Sequence, residues 1–314
     1  MGKYLNVDRL EFAVTYRCNS NCKHCSVKHK RTMDKLIDEY IAVDIVNKIK
    51  KKFHLQSIMT FGGEPMLHPS IVCAIHNEAK KAGIPKRQII TNGYWLNDLD
   101  KVSEIVKQLK AAYVNNIFVS VDAFHQEYIP IDIVKATVEI LIKEDFEEIK
   151  WNPCWLINVN HNNQYNIMTK NILKELASLK IESASGNIVS PEGSAIENLS
   201  TYMPIKQHLA TGRCEELPYT NPLDSIKTIT IEPNGDVKIC EGFSIGNVFK
   251  ADIIDMLENY NPYENPVMRI ILEEGLEGLM ELGKKSGIKP SLEGYYSICQ
   301  MCVSIRKQLK IAEY

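Results

Sequence analysis

The sequence predicts an α/β protein: a partial (β/α)6 barrel of the TIM type, followed by a small extension of a β-hairpin and helices. Three observations predict it. Through about residue 190, short apolar runs alternate with amphipathic stretches, giving six strand–helix units. Such units imply a parallel sheet with helices as outer crossovers, and six are too few to close an eight-unit barrel. Beyond about residue 195 the alternation stops, and two strand-like runs flank an Asn-Gly turn.

The elements follow in order. Residues 10–16 read as the first strand. Ile37, Ile41, Ile45, Ile49 and Phe53 recur every four residues and predict one stripe of a helix. Residues 57–61 form the second strand, and a helix over 70–81 is closed by Gly83. Residues 88–91 give the third strand, and Val102, Ile105, Val106 and Leu109 mark the next helix. Residues 116–121 are the fourth strand, with Val134, Val138 and Leu141 on the helix behind it. Residues 149–157 and 187–190 are strands five and six, around a helix over 166–180. In the extension, 228–231 and 237–240 flank Pro233-Asn234-Gly235-Asp236 as an antiparallel hairpin. The expected domains are 1–195 and 196–314.

With 37 basic and 39 acidic residues the net charge is −2, which gives no electrostatic reason to expect nucleic acid or an anionic membrane as partner. No apolar run approaches the roughly 20 residues of a membrane helix. The first ten residues lack a basic segment followed by an apolar one, so a cytoplasmic location is expected. Nine cysteines is an odd number, which suits thiolates holding metal in a reducing compartment.

Cys18, Cys22 and Cys25 stand in a CxxxCxxC segment directly after the first strand. Three thiolates on a four-iron cube leave one iron open, whereas a structural zinc site takes four protein ligands. A zinc site completed by a distant residue is the rival reading. The segment resembles the signature of the radical S-adenosylmethionine (SAM) superfamily. That resemblance implies a [4Fe-4S] cluster whose open iron is chelated by SAM, and reductive cleavage to a 5′-deoxyadenosyl radical that abstracts a substrate hydrogen. It further implies an electron donor such as flavodoxin or ferredoxin. His24 stands where the family usually has an aromatic residue, on the adenine side.

Further motifs resemble the family's SAM contacts. Gly62-Gly63-Glu64-Pro65 follows the second strand: glycines permit close backbone approach, and a carboxylate pairs with the methionine ammonium. Asn92, in Thr91-Asn92-Gly93, follows the third strand. Ser120 and Asp122 end the fourth, and Gly193, in Ser190-Pro191-Glu192-Gly193, follows the sixth. All fall at C-terminal strand ends, where barrel folds place their sites. The resemblance covers about 10–193. His125 and Gln126 are candidates to face the substrate, His125 with a tentative catalytic role; a loop histidine bonded to backbone is the plainer reading. Lys23, Lys28, His29, Lys30 and Arg31 read as a solvated basic face.

Cys214, Cys240, Cys299 and Cys302 supply four more thiols. With Gly235 five residues before Cys240, they resemble the twitch or SPASM extension of radical enzymes. That implies an auxiliary [4Fe-4S] cluster, against the alternative of a four-cysteine zinc site. The full SPASM pattern has more cysteines, so the one-cluster twitch fits better. Cys73 reads as core. Cys154 reads either as packed between Trp151 and Trp155 or, by resemblance to radical peptide epimerases, as a hydrogen donor to a substrate radical. The leading expectation is modification of a ribosomally synthesised peptide by epimerisation or crosslinking. The alternatives are a small-molecule dehydrogenase or cofactor-biosynthesis enzyme, and a non-enzymatic iron–sulfur scaffold or electron carrier.

Overall fold

A computed structural model describes residues 3–205, 212–214, 222–288, 291 and 294–309. The chain divides into two compact units. One comprises Glu11–Asn47 and Gln56–Met203; the other comprises Met1–Leu10, Lys48–Leu55 and Pro204–Tyr314.

The first unit is built on a sheet in the order β1 (Leu5–Ala13, of which Glu11–Ala13 belong to this unit), β2 (Ser57–Phe61), β3 (Lys86–Thr91), β4 (Asn116–Val119) and β5 (Glu148–Trp151). The pairs β2–β3, β3–β4 and β4–β5 are parallel, with Thr60 opposite Ile89, Thr91 opposite Val119, and Val119 opposite Trp151. Helices α1 (Glu39–Ile49), α2 (Pro69–Lys81), α3 (Leu99–Ala111) and α4 (Ile131–Lys143) alternate with these strands. Phe12, Ile58, Ile89, Ile117 and Val119 are fully or almost fully buried, as in a sheet covered on both faces. Thr60 Oγ1 and His76 Nε2 share a buried 3.0 Å hydrogen bond that ties β2 to α2.

The predicted fifth strand is one run in the sequence and two in the structure. Pro153 has no N–H to donate and interrupts the ladder. After it, β6 (Cys154–Trp155) pairs in parallel with β7 (Asn187–Ile188). The facing strand breaks at the same level, where Gly186 has φ +77° and a Cβ would sit 2.3 Å from the Pro153 carbonyl oxygen. Trp151 bridges Ser183 just before this break, so the six-stranded partial barrel is preserved with a kink. Helix α5 (Gln164–Glu175) and one 3₁₀ turn cross between the last two strands, and α6 (Ser194–Leu199) follows them.

Two smaller expectations are corrected. Ile37 and Phe53 lie outside α1, whose buried face is Ala42, Ile45, Val46 and Ile49. Cys73 is half-buried on α2 instead of lying in the core.

In the second unit, β8 (Ile226–Ile231) and β9 (Asp236–Cys240) form the antiparallel hairpin, with Gly235 at φ +88° in its turn. A third strand, β10 (Phe243–Asn247), pairs with β9 across Glu241-Gly242. Helices α7 (Ile253–Glu258), α8 (Pro266–Lys285) and α9 (Ile298–Leu309) complete it. Among the described residues, no helix is long and apolar enough to cross a membrane.

Candidate active site

The cysteine loop is held from behind by the Gly-Gly-Glu turn. Residues 61–64 run along 14–17 as a short ladder: Val14 N–H to Phe61 O (2.8 Å), Gly63 N–H to Thr15 O (2.7 Å) and Glu64 N–H to Arg17 O (2.8 Å). The approach is too close for side chains. A Cβ on Gly63 would sit 2.0 Å from Arg17 O, and one on Gly62, at φ +132°, would sit 2.6 Å from Thr15 O.

In the loop Cys22 is buried, and Cys18 and Cys25 are half-buried. Donors surround the sulfurs. Ser20 N–H points to Cys18 Sγ at 3.4 Å, and the Ser20 hydroxyl lies 3.0 Å from Cys22 Sγ. Asn92 Nδ2 lies 3.8 Å from Cys18 Sγ, and Arg31 Nη2 lies 3.4 Å from Cys25 Sγ. Arg31 also donates to Ser20 O, so it turns into the loop and leaves the basic face predicted for it. Burial pushes the Cys18 thiol up to about 11 and Cys22 up to about 12. Among the described residues no three His, Cys, Asp or Glu side chains converge on a single-ion site. The donor chemistry fits a cluster: three thiols from one loop, ringed by N–H and O–H groups that stabilise thiolate charge.

Glu64 is fully buried, and its carboxylate accepts from Met66 N–H (3.0 Å), Thr91 Oγ1 (2.7 Å) and Asn92 N–H (2.7 Å). Burial outweighs these bonds and pushes its pKa up to about 7. Asn92 also bonds Asn19, which links the loop after β3 to the cysteine loop.

Asp122 is equally buried. Its carboxylate accepts Phe124 N–H (2.9 Å), His125 N–H (3.0 Å), His125 Nδ1 (2.9 Å) and Cys154 N–H (3.0 Å). Burial opposes its charge, but the charge and hydrogen bond of His125 prevail and hold it down to about 2. Burial likewise opposes protonation of His125, and the Asp122 carboxylate raises it nonetheless. His125 is thus bonded to a carboxylate, which neither sequence reading foresaw.

The remaining candidates fall around these groups. His24 lies edge-on to His125 at 5.0 Å and tilted on Phe124 at 4.9 Å, and its buried Nδ1 has no hydrogen-bond partner among the described residues. Phe124 stacks on Tyr165 at 4.8 Å. Ser120 is buried and its N–H bonds Thr91 O. Gly193 packs on the end of the cysteine loop: a Cβ there would sit 2.8 Å from Cys25 O. The Cys154 thiol is buried within electrostatic reach of Asp122 and Cys22, and burial raises it well above its usual range. Sequence reasoning missed Thr91 as a partner of Glu64, as well as Arg31, Phe124 and Tyr165; no motif marks the last three.

In the second unit, Cys214, Cys240 and Cys299 all act electrostatically on Cys302, which burial raises. The other three predicted thiols therefore lie within electrostatic reach of Cys302. Cys299 and Cys302 share one face of α9 at i, i+3 spacing. Cys240 ends β9 at the turn to β10, where burial raises its thiol and the backbone N–H groups of Gly242 and Phe243 oppose that rise.

A parallel partial barrel with cysteines, buried carboxylates and glycine turns at its C-terminal strand ends defines an α/β barrel enzyme. The particular family follows from the chain itself. Residues 12–180 match the Radical SAM superfamily, more than half of the chain, and the protein belongs to that superfamily. It is a radical SAM enzyme, and family membership implies SAM and a [4Fe-4S] cluster. A probable GTP 3′,8-cyclase of Methanocaldococcus jannaschii is 31% identical over 121 residues, 38% of this chain and 37% of that protein. A putative peptide biosynthesis protein of Bacillus subtilis, YydG, is 24% identical over 123 residues, 39% of this chain and 38% of that protein. Such matches span less than half the length of these curated relatives. Two solved structures share the fold at TM-score 0.54. Native anSMEcpe with bound AdoMet is 13% identical and covers 95% of this chain and 96% of its own. Streptococcus suis SuiB bound to the precursor peptide SuiA is 14% identical and covers 94% and 76%.

Proposed function

We propose that this enzyme epimerises a residue of a ribosomally synthesised peptide, with Cys154 returning a hydrogen atom to the substrate radical. The observation that carries the reading is Cys154 itself: a buried thiol within electrostatic reach of Cys22, with its backbone N–H bonded to Asp122. The peptide assignment draws support from the peptide-biosynthesis relative and from the peptide-bound SuiB of like fold.

Cys18, Cys22 and Cys25 would hold the cluster. When bound, cluster and SAM supply the electron and the hydrogen-abstracting 5′-deoxyadenosyl group. Three of the roughly four acceptor sites of Glu64 are taken by Met66, Thr91 and Asn92, which leaves one for the methionine ammonium. Gly62 and Gly63 bring the backbone close to that group, while His24, Asn92, Ser120, Asp122 and Gly193 line the rest of the SAM site. His125 stands beside His24 at the substrate side. Burial keeps Cys154 as S–H, the form able to give up a hydrogen atom. The S–H bond breaks, a C–H bond forms on the opposite face of the substrate, and the sulfur radical takes up one electron and one proton. Flavodoxin or ferredoxin would deliver that electron. Cys214, Cys240, Cys299 and Cys302 would hold an auxiliary cluster.

The test uses anaerobically reconstituted protein, dithionite and a short peptide encoded beside the gene, in D₂O. The expected product carries solvent deuterium at an inverted carbon. Cys154→Ala should still form 5′-deoxyadenosine but leave the peptide uninverted; normal deuterium incorporation in that variant refutes the donor role. A second reading, a small-molecule cyclase, is favoured by the 31% identity to the archaeal GTP 3′,8-cyclase. Consumption of GTP in the same assay, with the peptide untouched, would establish it instead.

A further inference from the structure

One charged group of the second unit has no partner in the reading above. Arg306 is only 6% exposed, and its Nε is buried without a hydrogen-bond partner among the described residues. A buried guanidinium nitrogen with no acceptor among the described residues is costly, so such a group points to a compensating charge. The surroundings show where it would be. Arg306 lies one helical turn beyond Cys302, on the same face of α9. Its guanidinium rests on the Phe243 ring at 3.7 Å, and a Cβ on Gly242 would sit 2.9 Å from Nη1. Gly242 and Phe243 are also the residues whose backbone N–H groups lower the raised Cys240 thiol. Glycine at 242 therefore leaves room for the guanidinium beside the Cys240 turn, and Phe243 holds it there by a cation–π contact. Its charge acts on both Cys240 and Cys302.

We propose that Arg306 is the buried counter-cation of the auxiliary cluster and sets its reduction potential. The proposal rests on the reading that Cys214, Cys240, Cys299 and Cys302 hold an iron–sulfur cluster. Four thiolates give such a cluster net negative charge, and reduction adds one more. A fixed positive charge in a poorly solvated site favours the reduced form and raises the potential. Arg306 touches no substrate in this scheme; it is a positioning residue for charge.

The test is a redox titration followed by EPR, with metal analysis, in the full-length protein carrying Cys18→Ala, Cys22→Ala and Cys25→Ala. Only the second site then remains. Arg306→Gln should retain iron but lower the midpoint potential, shifting the reduced-to-oxidised ratio at fixed potential about tenfold, which is roughly 59 mV for one electron. Arg306→Lys keeps the charge and should recover most of that shift. An unmoved potential in Arg306→Gln with iron retained overturns the proposal. If Arg306→Gln loses its iron, Arg306→Lys decides: a loaded site near the parental potential supports the charge role, and an iron-free one overturns it. Zinc, or no metal, in the Arg306 parent instead overturns the auxiliary-cluster reading, a result read from metal content and not from potential.

Discussion

Asp122 concentrates more of the first unit's polar order than any single motif suggests. Its carboxylate gathers two backbone amides after β4, the His125 ring, and the amide of Cys154 on β6. Asp122→Asn keeps the shape but removes the charge opposite a histidine whose protonation Asp122 favours. Breaking one side of a buried ion pair costs about 3–5 kcal/mol, so the variant should show a correspondingly lowered denaturant midpoint with an unchanged m-value. His76 supplies a separate test. Burial pulls it down to about 3 from its ordinary 6.5. Below about pH 6.5 the unfolded chain takes up this proton first. The stability this group contributes is therefore intact above that pH and falls by up to about 1.4 kcal/mol per unit toward pH 3. His76→Gln can still bond Thr60, and its unfolding midpoint should drop less than the parent's between about pH 7.5 and pH 5; equal drops would refute the assignment. At this scale the sequence was legible where chemistry has a spacing. Cysteines at CxxxCxxC and a glutamate after two glycines declare themselves. Arg31 and Arg306 do not, because a basic residue in a helix or loop looks solvated until tertiary structure turns it inward.

The elements show why glycines mark the site. The Gly62-Gly63 turn is shaped by the chain entering the cysteine loop, which lies against it with no space for a Cβ. Gly63→Ala forces a contact 2.0 Å from a backbone oxygen, so residues 14–17 and the loop they lead into must shift. The expected outcome is loss of iron from the first site and of SAM cleavage, with the iron that the proposed reading gives the second unit unaffected; full cleavage activity would show that the ladder is not what holds the loop. Strand and helix positions were readable from periodicity, because β2, β3 and β4 are largely buried runs separated by amphipathic helices. The misses have local causes. Pro153 splits a run that is continuous in hydropathy. The stripe of α1 continues beyond the helix because Ile37 and Phe53, in the segments that flank it, are buried as well. β10 carries Ser244, Gly246 and Asn247 and so presents no continuous apolar run to mark it.

For the whole molecule, the consequential fact is that each group of cysteines belongs to one compact unit: Cys18, Cys22 and Cys25 to the first, and Cys214, Cys240, Cys299 and Cys302 to the second. Under the proposed reading each site takes its cysteine ligands from one unit, so the two should load independently. Reconstituted protein should carry roughly eight irons, four for each cubane. Replacing Cys18, Cys22 and Cys25 by Ala should leave about half, with no cleavage of SAM. The reciprocal replacement of Cys240 and Cys302 should also leave about half, and here reductive cleavage of SAM to 5′-deoxyadenosine should continue, because its three ligands, Glu64 and Asn92 all lie in the first unit. Iron analysis and product quantification on the two variants separate the possibilities. Loss of all iron in either variant would mean that the sites fold or load as one. Retention of SAM cleavage without the first three cysteines would remove them from the role the family signature gives them.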